Sequence, residues 1–182
     1  MTEITHTASP QDLDNEGKDL YQKGEYLEAA LSFAAAGKAY QAMGESLMAA
    51  EMANNCSVAY LQAGDGQAAL DAVVGTEQVF AAQGDLRRQG MALGNRASAL
   101  EALGDVENAA NFYQQSAEIL QQCGEQELRA DVLKSLSALQ LKRGKQIDAL
   151  FTMKAGLDGI EKPSFKQRIL KKLLKLPMKY LG

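Results

Sequence analysis

Residues 100–125 read LEALGDVENAANFYQQSAEILQQCGE, and they contain one complete unit of the pattern that decides the fold. The unit runs from Gly104 to Gly124, and an acidic residue follows each glycine. Glycine adopts the left-handed conformation that ends a helix, and an acidic residue stabilises the N-terminus of the next helix. The spacing of 20 residues recurs at Gly24, Gly44, Gly64, Gly84, Gly104, Gly124 and Gly144. The sequence therefore predicts helices of about 16–18 residues joined by short turns, which makes neighbouring helices antiparallel.

Apolar positions alternate between two classes of unit, so the full repeat is 40 residues long. An alanine stands five residues after every second glycine, and larger apolar residues stand nine and sixteen residues after it. Small side chains let helices approach closely, and the larger ones fill the space between turns. The predicted core therefore contains Ala29, Ala69, Ala109 and Ala149, together with Phe33, Val73, Tyr113, Met153, Tyr40, Phe80, Leu120 and Ile160.

The composition favours a single all-α domain. The 182 residues are 46% apolar and only 6% aromatic, and alanine and leucine supply most of the apolar side chains. These residues have a high helix propensity, whereas strands favour aromatic and β-branched residues. Because the chain contains neither 18 consecutive apolar residues nor an apolar run near its start, we expect a cytoplasmic protein without a membrane-spanning helix.

Catalytic chemistry has little support in the sequence. His6 is the only histidine, and no metal-ligand spacing surrounds Cys56 or Cys123. No carboxylate pair is marked out by its spacing, and no glycine-rich phosphate loop follows a predicted strand. We therefore expect that the protein is not an enzyme and that it uses no cofactor or metal.

The alternating small and large residues, with a glycine and an acid at the turn, resemble the tetratricopeptide repeat. The similarity is to the longer form, of roughly 40 residues, found in kinesin light chain-like adaptors. It implies a right-handed α-solenoid of four antiparallel helix pairs over residues 11–161, preceded by a flexible leader (residues 1–10). Residues 162–182 then form a basic amphipathic C-terminal helix. The fourth pair departs from the pattern, with Lys145 after the glycine and Gln140 in an apolar position.

The same resemblance implies that the first helix of each pair lines a groove for a segment of another protein. Three of the six asparagines share one position of the repeat, and asparagine is a modest helix former, so some function should offset its cost. Side-chain amides can donate to and accept from the backbone of an extended peptide, or they can instead bond to a neighbouring helix. The predicted groove residues are Asn15, Lys18, Glu51, Asn55, Met91, Asn95, Ser98, Asp131 and Ser135.

The C-terminal segment has a different charge from the rest of the chain. Seven of the 19 basic residues and none of the 23 acidic residues lie in residues 162–182, so the remainder carries a net charge of −11. At 100° per residue, apolar and basic side chains separate onto opposite arcs, which is typical of a helix that lies in a membrane surface. Residues predicted to contact an anionic membrane or partner are Phe165, Arg168, Ile169, Lys171, Lys172, Leu173, Lys175, Leu176 and Lys179. Two alternatives are a cap on the last repeat and docking onto the acidic body.

These patterns predict a non-catalytic adaptor or scaffold that binds a protein segment and attaches peripherally to a membrane. The acidic body disfavours nucleic acid as a partner. The alternative is a structural protein that assembles with copies of itself, through stacked repeats or docked tails.

Overall fold

The computed structural model describes residues 8–178, with side chains through residue 174. Within this range every regular element is an α-helix, and each helix except α4 packs against the next along the chain; α4 packs against α3 and α6 instead. The helices are α1 Pro10–Lys23, α2 Tyr26–Ala42, α3 Ser46–Ala63, α4 Gly66–Val73, α5 Thr76–Ala82, α6 Leu86–Ala102, α7 Val106–Gln122, α8 Gln126–Lys142, α9 Gln146–Asp158 and α10 Phe165–Met178. The predicted all-α fold is therefore confirmed.

The seven periodic glycines form the turns. All of them have positive φ, between 71° and 83°, so the predicted left-handed conformation is confirmed. The acid that follows caps the next helix only when it is an aspartate: the carboxylates of Asp65, Asp85 and Asp105 accept a backbone N–H three residues later, at 2.9, 2.9 and 3.3 Å. The glutamates at equivalent turns make no such bond, because their longer side chains do not fit the N-cap geometry.

The predicted alanines lie where the helices cross. Ala29, Ala69, Ala109 and Ala149 are at most 1% exposed. The larger residues pack around them: Phe80 is fully buried against Ala50 and Ala92. The core thus consists of four clusters that follow one another along the stack of helices.

One predicted helix is broken. The spacing predicts a single helix between Gly64 and Gly84, but α4 ends at Val73 and α5 begins at Thr76. Val74, with an extended ψ of 126°, ends α4, and Gly75, with a positive φ of 92°, precedes α5. The Thr76 hydroxyl donates to the Val73 carbonyl at 2.8 Å and so satisfies a backbone group that the break exposes. The first two residues of α5 after the break, Thr76 and Glu77, are buried.

The last helix, α10, packs mainly against α9. Ser164 begins it with a capping box: its hydroxyl accepts the Gln167 N–H at 3.3 Å, and the Gln167 side chain accepts the Ser164 N–H at 2.7 Å. Among residues 8–178, no helix is both long enough and apolar enough to cross a bilayer.

Candidate functional site

An open pocket lies at the contact of α1, α2 and α3, and we call it the N-terminal pocket. Its volume is about 270 Å³, and it is lined by Lys18, Tyr21, Gln22, Phe33, Asn55 and Val58. Lys18 and Asn55 are two of the predicted groove residues, and they come from the first helices of adjacent pairs. The Asn55 side chain makes no hydrogen bond to any residue that the structure describes, so its amide is open to a ligand.

Lys18 is held in place by a buried carboxylate. Its ammonium lies 2.6 Å from Asp14 Oδ2, and the Asp14 side chain is only 4% exposed. The other Asp14 oxygen, Oδ1, is buried without a hydrogen-bond partner among the described residues. A buried carboxylate of this kind needs its cation, since an unpaired buried charge is costly. Lys18 therefore contributes a positioned ammonium to the rim of the N-terminal pocket.

A second open pocket, the C-terminal pocket, lies between α6, α7 and α8. Its volume is about 220 Å³, and five of its lining residues are predicted groove residues. These five are Met91, Asn95, Ser98, Asp131 and Ser135. They come again from the first helices of adjacent pairs, so the repeat phase brings equivalent positions together at both ends of the molecule.

A tyrosine hydroxyl lies at the base of the C-terminal pocket. Tyr113 Oη donates to Glu101 Oε2 at 3.0 Å and lies 3.0 Å from Ser98 Oγ. Burial, with a smaller contribution from the neighbouring Glu101 carboxylate, raises the pKa of Tyr113 to about 12. The hydroxyl therefore stays protonated and acts as a hydrogen-bond donor, not as a base.

Two predicted groove residues do not join either pocket. Asn15 lies in a shallow depression lined by residues 8–23 alone, where its side-chain oxygen accepts a bond from Gln11 at 3.3 Å. Glu51 forms an ion pair with Arg88 at 3.0 Å, which connects α3 to α6. Asn15 lies on α1 about one turn before Lys18 and lines neither pocket. The Glu51 carboxylate is already paired with Arg88.

Asn95 has a partner in the neighbouring helix as well as a place in the C-terminal pocket. Its amide nitrogen donates to Asn54 Oδ1 at 3.5 Å, and the same oxygen accepts the Thr76 hydroxyl at 3.4 Å. Sequence reasoning missed Asn54, which is buried beside the periodic Asn55. The signal available was the doubled asparagine, Asn54–Asn55, since one helix cannot direct both side chains to the same face.

A buried ion pair follows from the break at Gly75. Glu77, 5% exposed, is bonded to Arg96, whose guanidinium lies 4.2 Å from the centre of the Phe112 ring. Glu77 Oε2 and Arg96 Nε are buried without a hydrogen-bond partner among the described residues. Sequence reasoning missed this pair, because an unbroken helix would have placed Glu77 differently. The pair closes one side of an open cavity of about 480 Å³ between α5, α6 and α7.

The predicted membrane-contact residues lie along α10, and the structure separates them into two groups. Lys171 faces the body, and its ammonium lies 3.4 Å from the Asp158 carboxylate. The other described members are exposed: Phe165, Arg168, Ile169, Lys172 and Leu173. The side chains of Lys175 and Leu176, all of Lys179 and all of His6 lie outside the described residues.

The cysteines offer no reactive group to either pocket. Cys56 is buried, its thiol donates to the Ala30 carbonyl at 3.3 Å, and burial raises its pKa to about 11. Cys123 lies at the end of α7, where its thiol contacts the Leu120 carbonyl at 3.5 Å. Within residues 8–174, no group of three or more histidine, cysteine, aspartate or glutamate side chains could hold a metal ion.

Comparison with protein-family models and with curated proteins finds no match to this chain.

Proposed function

We propose that this chain is a non-catalytic adaptor of the tetratricopeptide type, a right-handed solenoid that binds an extended segment of another protein along its first helices. One observation carries the proposal: predicted groove residues from adjacent pairs converge in the N-terminal and C-terminal pockets. Each pocket combines apolar walls with a few polar side chains, the combination that orients a peptide. The proposal includes peripheral attachment to a membrane through α10 and a cytoplasmic location.

The polar groups of the pockets favour a peptide backbone as ligand. The Asn55 amide can donate one hydrogen bond and accept another. The Lys18 side chain lines the same pocket, and its ammonium can donate to a carbonyl or a carboxylate oxygen. In the C-terminal pocket, Asp131 adds a carboxylate that pairs with a backbone N–H or a basic side chain. A segment that runs across both pockets therefore meets acceptors and donors in turn.

The test uses peptides selected from a random display library against the full chain. Asn55→Ala should weaken their affinity by about 5- to 150-fold, the equivalent of about 1–3 kcal/mol for a lost buried hydrogen bond, and should leave the melting temperature unchanged. Asn111→Ala is the matched control, because Asn111 is an exposed asparagine of α7 outside both pockets. Equal affinities for the Asn55→Ala variant and the wild type would contradict the proposal.

A second candidate function, assembly with copies of itself, is favoured by exposed apolar pairs on the first and last repeats. Leu27 and Leu31 are 51% and 58% exposed, and Ile147 and Phe151 at the equivalent positions are 60% and 53% exposed. The two middle repeats carry polar residues there: Gln67, Asp71, Glu107 and Asn111. Light scattering over a concentration series tests this function. The average particle mass should increase with concentration if the protein forms filaments, and it should stay constant for an adaptor.

A further inference from the structure

The helix α10 is attached to the body along one narrow edge. Leu174 is 9% exposed and packs against Leu157 and Ile160. The Lys171 ammonium donates to the Leu157 carbonyl at 3.4 Å and lies 3.4 Å from the Asp158 carboxylate. Residues three apart lie on the same face of a helix, so Leu174 and Lys171 define the side of α10 that faces the body.

The opposite side of α10 carries apolar side chains that nothing in the described structure covers. Phe165, Ile169 and Leu173 are 70%, 44% and 54% exposed. They follow one another at intervals of four residues and form a single line about 12 Å long, at about 1.5 Å per residue. We call these three residues the apolar ridge. A pure cap on the last repeat would have buried them.

Basic side chains flank the apolar ridge on both sides. At 100° per residue, Arg168 and Lys172 lie on one flank and Lys166 lies on the other. All three are exposed, and none forms an ion pair within the described residues. Residues 162–182 contain no acid, although the rest of the chain has a net charge of −11. The apolar ridge and its basic flanks therefore match a bilayer surface, which has an apolar interior and anionic headgroups.

The size of the ridge argues against a second copy of the chain as its occupant. A stable protein interface buries about 800 Å² on each partner. A side chain as large as phenylalanine supplies at most about 200 Å², so three partly exposed residues fall short. A bilayer surface has no such requirement, because an interfacial helix needs only one apolar face and a positive charge beside it.

We propose that the apolar ridge inserts into the surface of an anionic bilayer while Lys166, Arg168 and Lys172 contact lipid headgroups. This inference rests on the membrane attachment in the proposed function, and it adds which face of α10 enters the lipid. Lys171 does not take part, because it faces the body, where its ammonium lies 3.4 Å from the Leu157 carbonyl and 3.4 Å from the Asp158 carboxylate. Leu174 does not take part either, because it is buried against the body.

The experiment is flotation of the full chain with phosphatidylcholine vesicles, with and without phosphatidylserine, at low and high salt. The wild type should float only with phosphatidylserine and less at high salt, since the charge contribution is screened. Ile169→Ser with Leu173→Ser should reduce partition at least about tenfold. The matched control is Leu103→Ser with Leu141→Ser, which alters two leucines outside α10 that are 44% and 53% exposed and should float like the wild type.

Charge variants test the flanks separately. Arg168→Gln with Lys172→Gln should weaken partition about 30-fold, because each basic residue near an anionic surface contributes about fivefold. Lys171→Gln should stay within about twofold of the wild type, since its charge is already paired. All variants should keep the wild-type melting temperature, except Lys171→Gln, which loses a contact to the body.

Three results would overturn the inference: a wild type that does not float, a ridge variant that floats like the wild type, or a wild-type dimer in solution that the ridge substitutions abolish. The last result would mean that a second copy covers the ridge. Peptide binding by the ridge variant separates this failure from failure of the groove, because α10 lies outside both pockets.

Discussion

The contact of Gly90 with Leu120, between α6 and α7, supplies a sharp test of the packing. Gly90 is buried in the second turn of α6, and a Cβ added there would lie 2.7 Å from Leu120 Cγ and 2.8 Å from Leu120 Cδ2. Leu120 is 1% exposed, and its close atom Cγ lies near the backbone of α7, so rotation at the end of the side chain does not relieve the clash. The Ser116 hydroxyl also donates to the Gly90 carbonyl at 2.6 Å, which holds the two helices at this distance. We therefore expect Gly90→Ala to force the helices apart.

The expected magnitude combines two opposing effects. Alanine is better than glycine in a helix interior by about 1 kcal/mol. Inserting a methyl group into a filled core costs about 1–3 kcal/mol, and a separation of 2.7 Å places this site toward the upper end of that range. The free energy of unfolding should thus fall by about 1–2 kcal/mol in Gly90→Ala. Binding of selected peptides at the C-terminal pocket should weaken too, because Leu120 also lines it.

Gly37→Ala is the matched control. Gly37 lies inside α2, and a Cβ there would have Met52 Cβ as its nearest neighbour, at 3.4 Å, an ordinary contact. The same substitution should therefore raise the free energy of unfolding by about 0.5–1 kcal/mol, through helix propensity alone. For a chain of this length the two variants should differ by about 3–12 °C in melting temperature. Thermal unfolding followed by circular dichroism measures this, and a Gly90→Ala variant that melts at or above Gly37→Ala would refute the packing argument.

Two further predictions concern buried side chains. Ala69→Leu should lower the free energy of unfolding by about 1–3 kcal/mol, since Ala69 is fully buried, whereas Ala35→Leu, at an exposed position of α2, should change it by at most about 0.5 kcal/mol; urea titration distinguishes them. Cys56 should react with iodoacetamide far more slowly in the native protein than in urea at the same pH, because its pKa is raised to about 11. The same shift makes the native state hold a proton that the unfolded state loses, so this group's contribution to stability should decline from about pH 9 to about pH 11.

The turns and the helix crossings could be predicted from the sequence because they depend on local requirements. A position with a left-handed backbone conformation favours glycine, and a close helix crossing favours a small side chain. The roles of Gly104 and Ala109 can therefore be predicted from the residue types themselves. The break at Gly75 could not be predicted in this way. Gly90 and Gly94 lie inside an unbroken helix although they are also glycines. What distinguishes Gly75 is a contact in three dimensions, namely the bonds of Thr76 to Val73 and Asn54.

The repeat phase gave the positions of the candidate asparagines but not their hydrogen bonding. Asn55 and Asn95, two of the three asparagines that share a phase, line pockets between adjacent pairs, whereas the third, Asn15, lines neither. Whether each amide is free depends on the residue that the neighbouring helix presents, and a repeat pattern does not encode that residue. Asn95 meets Asn54, whereas Asn55 meets no partner among the described residues. For α10, the helical wheel gives the apolar arc, but only the contact of Leu174 with α9 shows which edge of the arc faces the body.

The links between the second and third pairs bear on how a peptide could use both pockets. Three polar contacts join α6 to the preceding pair: Arg88 with Glu51 at 3.0 Å, Asn95 with Asn54 at 3.5 Å, and Arg96 with Glu77. The apolar contact of Phe80 with Ala50 and Ala92 crosses the same boundary. Breaking a partly buried ion pair such as Arg96 with Glu77 is costly, because it leaves a charge without its partner. These contacts link the parts of the chain that carry the N-terminal and C-terminal pockets, and in the proposed function a segment that spans both pockets would bind a surface that is already ordered.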